Sequence, residues 1–192
     1  MPQKFCIIGE LRKMPCLPAR IIAKVNSLQD PELIHALYKA SQAGVQIQLN
    51  VRGICCLKPG DAKHSKNIEV VSIIDRFLEH ARLFHFHQGG DSKVYLASAD
   101  WMTRNLDKRI ELMIPIEEAS LKRRLVRVLE AFFHDNTQAY RLLPDGSSQR
   151  ITRAKGQKTF RVQDHFYQQS RKAAKAREHE RAMTFEPHVP AE

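Results

Sequence analysis

A histidine and several arginines are the residues of this sequence best suited to chemistry on phosphate groups. They are His80, Arg52, Arg76, Arg82, Arg104 and Arg109. A guanidinium keeps its charge at neutral pH and presents a planar fork of donors that matches phosphate oxygens. An imidazole can bind an anion as a cation, or act as a general acid toward a leaving oxygen. Whether these side chains form one site depends on the elements that carry them.

Two apolar segments around a glycine pair predict a β-hairpin directly after His80. Apolar and polar residues alternate over 81–87, a second apolar run covers 94–97, and two glycines lie between them. This pattern is typical of paired antiparallel strands joined by a short turn. Because the outer ends of the two strands fall together, His80 and Arg82 should lie near Asp100.

Arg52 directly follows a segment that is predicted to be a strand. Residues 20–25 indicate a buried strand, an acidic N-cap and a proline then begin a helix, and 45–51 alternate as a second strand. A strand, helix and strand in this order usually form a parallel pair. Side chains at the carboxyl ends of such strands line the ligand crevice. The alternative for Arg52 is a surface ion pair, with Glu79 or Asp75 as the partner.

The second half of the sequence predicts further strands and two helices. Residues 108–116 are interpreted as a strand in which Arg109 and Glu111 share a face. Arg109 would then either pair with a carboxylate or face the crevice with Arg52 and His80. The pattern beyond this strand predicts an amphipathic helix at 120–136, a hairpin at 139–153 and a basic helix at 164–182.

Length and composition indicate one globular α/β domain. The chain has 192 residues, of which 43% are hydrophobic and 27% charged. No run approaches the roughly 18 apolar residues of a membrane span, and the first residues lack the features of a secretory signal. A cytoplasmic location is therefore expected. Residues 1–18 carry no periodic pattern and are predicted to be irregular, which suggests a fragment, a truncated gene or an alternative start.

The net charge of +10 is concentrated near the carboxyl terminus, since residues 147–181 contain ten basic and three acidic side chains. We interpret 161–192 as a basic helical tail that is partly disordered. Such a tail could attract polyphosphate or RNA, or it could be no more than a solubilising helix.

Cysteine and histidine usage does not predict a metal site. The four cysteines, Cys6, Cys16, Cys55 and Cys56, include no Cys-x-x-Cys pair and are interpreted as structural thiols. His85 and His87 share a strand face and could bind a metal. We interpret this face as solvated instead.

The cluster around His80 resembles half of a phospholipase D active site, whose motifs are His-x-Lys and Gly-Ser-x-Asn. The chain has His80-Ala-Arg82 and, after the hairpin, Ser98-Ala-Asp100. Arginine thus replaces the lysine and aspartate replaces the asparagine. These departures argue against a phosphodiesterase built from two such half-sites in a homodimer.

Longer blocks resemble the last domain of bacterial polyphosphate kinases, which make polyphosphate from ATP. They include Ala-Arg-Ile-Ile-Ala-Lys at 19–24, Val-Arg-Gly-Ile-Cys-Cys-Leu-Lys-Pro-Gly at 51–60, Arg-Phe-Leu-Glu-His at 76–80 and Ser-Ala-Asp-Trp-Met-Thr-Arg-Asn-Leu-Asp at 98–107. The resemblance implies a phospholipase D-like α/β domain over 19–160, a mixed sheet flanked by helices.

The same resemblance implies that Arg52 and His80 contact ATP. We add Arg109 as a third ligand of phosphate, and Arg76, Arg82 and Arg104 as accessory contacts, with His80 as the candidate catalytic residue. In the family, the histidine that is phosphorylated and the Mg²⁺ ligands belong to the preceding domain. The chain is thus expected to supply half of a site, completed by upstream kinase domains or a homo-oligomer. The alternative is a non-catalytic module that binds polyphosphate or RNA.

Overall fold

A single mixed β-sheet organises the protein, whose computed structural model describes residues 7–10 and 18–183, with side chains up to Arg177. The described strands run in the spatial order β6-β5-β4-β1-β2-β3-β7-β8. Strands β1, β2 and β3 are parallel to one another, and the other pairs are antiparallel. The strands are β1 (Ala19–Val25), β2 (Gln46–Val51), β3 (Ile68–Ile73), β4 (Arg82–Gln88), β5 (Asp91–Ala97), β6 (Met113–Ile116), β7 (Ala139–Leu142) and β8 (Ser148–Arg150).

Helices cover both faces of the sheet, which confirms the predicted α/β class. The described helices are α1 (Pro31–Gln42), α2 (Thr103–Lys108), α3 (Ala119–Phe132) and α4 (Val162–Met183). Leu33 and Leu37 of α1 join the main apolar core on one face. Leu129 of α3 packs against Ile22 and Leu83 on the other. Residues 7–10 are also helical, which the sequence did not predict.

Local sequence signals account for α1 and for the hairpin. Asp30 caps α1, because its Oδ1 accepts a 3.0 Å hydrogen bond from the Leu33 amide. Gly89 and Gly90 form the β4–β5 turn with φ of 52° and 95°, the positive values that a two-residue hairpin turn of this kind needs. The predicted pairing of the two strands is thus confirmed, with Arg82 opposite Ala97.

The topology gathers the chemically interesting segments at one edge of the sheet. Strands β1, β2, β3 and β5 end at this edge, whereas the antiparallel strands β4 and β6 begin there. Arg52 follows β2, His80 precedes β4, Asp100 follows β5 and Arg109 precedes β6. We call this edge, with the segments that meet on it, the site edge.

Two details of the sequence interpretation were wrong. Residues 108–112 are not part of a strand: α2 ends at Lys108 and β6 begins only at Met113. Here Glu111 accepts hydrogen bonds from Ser98 and Asn105, and these side-chain contacts hold the segment outside the strand ladder.

The strand face of His85 is not solvated. Its side chain lies under α3 and is 5% exposed, and burial lowers its pKa to about 4. Its Nε2 lies 3.0 Å from the Ser92 hydroxyl.

The first turns of α4 belong to a second apolar cluster. Val162 is fully buried with Ile73, Phe132 and Ala139, and Phe166 packs on them. The end of the predicted tail, residues 184–192, and the cysteines at 6 and 16 lie outside the described residues. Among the helices of the described ranges, none has the length and apolarity to cross a membrane.

A partly buried ion pair connects the start of α4 to the segment that leaves β3. The carboxylate of Asp75 is 4% exposed, and Arg161 Nε donates to it at 2.8 Å. The hydrogen bond from Arg161 holds the pKa of Asp75 below its ordinary range. The ion pair therefore stabilises the fold above the pKa of the unfolded carboxyl, about 3.9. That contribution disappears as the pH falls through the lower folded pKa.

Replacing Asp75 should remove this pH-dependent contribution. We expect Asp75→Asn to unfold at a lower urea concentration than the wild type at neutral pH. The difference between their urea midpoints should become smaller toward about pH 3. Asp164→Asn is the matched control, since Asp164 is 58% exposed and lies 3.4 Å from the same guanidinium. Urea unfolding at several pH values measures this difference. A difference of constant size would contradict the assignment.

Candidate functional site

The carboxylate of Asp100 is the central acceptor of the site edge. Its Oδ1 accepts hydrogen bonds from the amides of Asn26 at 2.7 Å and Ser27 at 3.3 Å, and from Arg82 Nε at 3.2 Å. Its Oδ2 accepts from Arg82 Nη2 at 2.8 Å. Burial acts to raise the pKa of Asp100, but the hydrogen bonds from Arg82 and the two amides prevail and lower it. Asp100 therefore joins the ends of β1 and β5 to the start of β4.

Arg82 connects this carboxylate to His80. Its Nη1 lies 3.1 Å from His80 Nδ1 and donates to the His80 carbonyl at 3.0 Å. The guanidinium is 10% exposed, and its donors are largely engaged by Asp100 and His80. The two departures from the phospholipase D motif are thus linked, because the new arginine and the new aspartate pair with each other. This geometry makes Arg82 a support for His80 and leaves it few donors for phosphate.

Arg52 is half-buried and makes no ion pair with any described residue. Its Nε is buried without a hydrogen-bond partner in the part of the chain that the structure describes. Of the two carboxylates considered as partners, Glu79 lies 3.6 Å from Lys24 and Asp75 binds Arg161. The surface ion pair considered for Arg52 is therefore not formed, and no described carboxylate neutralises its positive charge.

The turn after β2 fixes where Arg52 emerges. The Gly53 amide donates to the Asn26 carbonyl at 2.7 Å, which ties this turn to the end of β1. A Cβ atom at Gly53 would lie 3.0 Å from that carbonyl oxygen, so a larger residue would push the turn away. Ser72 Oγ also donates to the Arg52 carbonyl at 3.2 Å. The backbone of Arg52 is thus held from both neighbouring strands.

Lys24, which the sequence analysis did not single out, lies beneath the site edge. Its side chain is 2% exposed, and its Nζ is 3.6 Å from Glu79 Oε2. Burial lowers its pKa and Glu79 opposes that effect, while the charges of Arg52 and Arg82 lower the pKa further. Both guanidiniums are therefore within electrostatic range of one buried ammonium. A lysine flanked by the apolar residues Ala23 and Val25 of β1 was the available sequence signal.

The remaining predicted arginines are peripheral to this cluster. Arg76 lies over the Phe77 ring at 5.3 Å, and Arg104 and Arg109 are exposed, one on α2 and one at its end. Within the described ranges, no hydrogen bond or ion pair joins these three side chains to Arg52 or His80. The structure therefore brings Arg82 and His80 into contact, and it places Arg52 and Arg109 at the same edge of the sheet.

The described residues do not form a cation site. They contain no cluster of three or more histidine, cysteine or acidic side chains with the geometry for a metal ion. Asp100 and Glu79, the carboxylates nearest to His80, are committed to Arg82 and Lys24. Mg²⁺ therefore has no evident ligands in the part of the chain that the structure describes.

Comparison with known proteins agrees with this geometry. The family model described as polyphosphate kinase C-terminal domain 2 matches residues 12–163. A polyphosphate kinase of Rhodopirellula baltica is 52% identical over 170 residues, which are 88% of this chain and 20% of the relative. A polyphosphate kinase of Pseudomonas aeruginosa is 59% identical over 135 residues, 70% of this chain and 20% of the relative. The chain thus spans about a fifth of the length of these curated relatives.

Solved structures give the same result for the fold. The crystal structure of polyphosphate kinase from Porphyromonas gingivalis superposes with a TM-score of 0.80 at 36% identity, over 89% of this chain and 26% of that one. Nuc, a phospholipase D family member from Salmonella typhimurium, superposes with a TM-score of 0.56 at 13% identity, over 73% of this chain and 90% of that one. The second match concerns the fold alone. The predicted phospholipase D-like fold is confirmed, and the chain belongs to the polyphosphate kinase family as its second C-terminal domain.

Proposed function

We propose that this chain supplies the ATP-binding and phosphate-binding half of a polyphosphate kinase, which transfers the terminal phosphoryl group of ATP to inorganic polyphosphate. The observation that carries the proposal is the uncompensated guanidinium of Arg52 on the same edge as an imidazole held by Arg82. This arrangement favours an anionic ligand that accepts donors from both side chains. Membership of the family supports ATP as that ligand.

The proposed roles follow from the chemistry of phosphoryl transfer, which depends mostly on positioning and on stabilising negative charge. Arg52 would bind nonbridging phosphate oxygens through its planar donors. His80 would contact the same phosphates and could give a proton to the leaving oxygen. In the first step, the bond from the terminal phosphorus to the ADP oxygen breaks as a bond from that phosphorus to the accepting histidine forms. In the second step, this phosphorus–nitrogen bond breaks as a terminal oxygen of polyphosphate bonds to the phosphorus, which frees the histidine. Arg109 could approach the ligand from the neighbouring segment.

The other half of the site would come from elsewhere. Upstream kinase domains or a second copy of the chain would provide the histidine that accepts the phosphoryl group. Any Mg²⁺ that accompanies the nucleotide would take its protein ligands from that half. We place this activity in the cytoplasm.

The exposed basic part of α4 supports a second candidate, a non-catalytic module for polyphosphate or RNA. Four basic side chains, Arg171, Lys172, Lys175 and Arg177, are exposed there. Such a cluster attracts polyanions without regard to their sequence. In this case Arg52 and His80 would be irrelevant to binding.

Removing the side chain of Arg52 or of His80 should weaken ATP binding. We expect Arg52→Gln and His80→Gln each to lower the affinity for ATP by about tenfold or more, the loss of a charge-assisted hydrogen bond. Isothermal titration calorimetry measures this affinity. The control Arg124→Gln removes the same charge from an exposed position on α3 and should leave binding unchanged. Equal losses in all three variants would indicate only nonspecific attraction.

Neutralising the basic part of α4 separates the two candidate functions. Truncation would remove Val162 from the second apolar cluster, so all four exposed basic residues are better replaced by glutamine. The kinase proposal predicts unchanged ATP affinity in this variant and a marked loss in Arg52→Gln. Affinity is measured for ATP and for polyphosphate at a fixed salt concentration. A marked loss in the glutamine variant of α4, with unchanged affinity in Arg52→Gln, would favour the binding module.

Complementation tests whether the half-site is productive. The chain alone should form no polyphosphate from ATP and Mg²⁺. Mixing it with the P. aeruginosa relative from which the matching domain has been deleted should restore synthesis, measured as acid-insoluble phosphate from labelled ATP. The Arg52→Gln variant should fail to restore it. Complementation by that variant would exclude Arg52 from the site.

A further inference from the structure

The segment that carries His80 is poorly held by apolar packing. We call residues 74–81, between β3 and β4, the His80 loop. Its apolar side chains are largely exposed: Ile74 by 72%, Leu78 by 75% and Phe77 by 46%. Beneath the loop lies a cleft of about 350 Å³, lined by Phe132 and other apolar side chains of α3 and α4. The position of the loop therefore depends on its polar contacts.

Arg82 contacts His80 itself, and two other side chains bind the residues of the loop around it. Gln163 of α4 accepts from the Phe77 amide at 2.7 Å and donates to the Phe77 carbonyl at 2.8 Å and to Glu79 at 2.9 Å. Lys24 of β1 pairs with Glu79 and donates to the Ala81 carbonyl at 3.3 Å. Lys24 thus contacts the residue before His80 and the residue after it.

We propose that Lys24 is a positioning residue that holds His80 at a fixed place relative to Arg52. The inference rests on the proposed function, because it assumes that His80 and Arg52 act on one ligand. Lys24 is paired in register with Asn50, two residues before Arg52 on the neighbouring parallel strand. Its contacts therefore link the His80 loop to the strand that ends at Arg52. The ammonium of Lys24 is buried and directed at Glu79 and Ala81, so its proposed role is to hold the loop.

The electrostatics argue against a role in stability alone. A buried ammonium costs desolvation, and an apolar residue of similar size is often at least as stabilising as a buried ion pair. Lys24 also lies within range of Arg52 and Arg82, whose positive charges oppose its own. Glu79 pairs with Lys24 and Asp100 pairs with Arg82, but Arg52 has no ion pair among the described residues, so a bound polyanion would relieve the remaining repulsion. A buried lysine at this position is therefore better explained by a nearby binding site for anions than by packing in the apolar core.

A double-mutant cycle tests this inference. Lys24→Met keeps the length of the side chain and removes the ammonium. We expect it to weaken ATP binding about tenfold in the wild-type background, and to have no further effect in the His80→Gln background. Additive losses would overturn the positioning role while leaving the proposed function intact. If His80→Gln alone left ATP affinity unchanged, the proposed function would fail, and this inference with it.

A second variant and an NMR measurement distinguish a positioning role of Lys24 from a general loss of structure. Glu79→Gln removes the partner charge of Lys24 but retains an oxygen that can accept from Gln163, and it should show the same non-additivity with His80→Gln. In NMR spectra of Lys24→Met, the imidazole signals of His80 should broaden or split. Those of His64, which pairs with Asp61 at 3.0 Å in another loop, should not change. Unchanged His80 signals would contradict the proposal.

Discussion

The buried ion pair between Asp100 and Arg82 is the interaction on which the site edge depends. Two buried or half-buried charges persist only where their hydrogen-bonding capacity is satisfied, and Asp100 meets this condition with two backbone amides in addition to the guanidinium. The same carboxylate thereby fixes the end of β1 and the start of β4. Because Arg82 also contacts His80, the position of the imidazole follows from this pair.

The basic side chains near the site edge differ in whether a carboxylate neutralises them. Arg82, Lys24 and Arg161 each have a carboxylate partner, whereas Arg52 forms no ion pair in the described part of the chain. A cation with a partner mainly supports structure, since much of its field is cancelled locally. A half-buried cation without one creates a positive potential in the crevice, and low local dielectric strengthens it. This distinction separates supporting residues from candidate ligands.

The sequence was sufficient for the features that depend on local pattern. The cap at Asp30, the paired strands around two glycines and the parallel pair before Arg52 all follow from periodicity and turn residues. Features that depend on distant segments were missed. His85 is buried because α3, more than thirty positions further along the chain, covers it. Alternation along a strand cannot reveal which faces a later helix will cover.

The candidate site shows the same division between local and distant signals. The edge on which Arg52 and His80 lie could be predicted, since it follows from strand direction. The pairing of Arg82 with Asp100 was accessible too, because both residues depart from the motif in complementary ways. Lys24 could not be assigned, since its partners Glu79 and Ala81 are more than fifty residues away in the chain. Long-range polar contacts leave no period in the sequence.

The C-terminal helix couples the two candidate binding surfaces of the chain. Its first turn holds the His80 loop through Gln163, and its next turns pack in the second apolar cluster. Its exposed basic side chains follow directly on the same continuous helix. Under the proposed function, ATP binding depends on Arg52 and His80 and not on the charges of these turns. The helix therefore carries both surfaces on one backbone: its buried first turn holds the His80 loop, and its later turns expose the basic side chains.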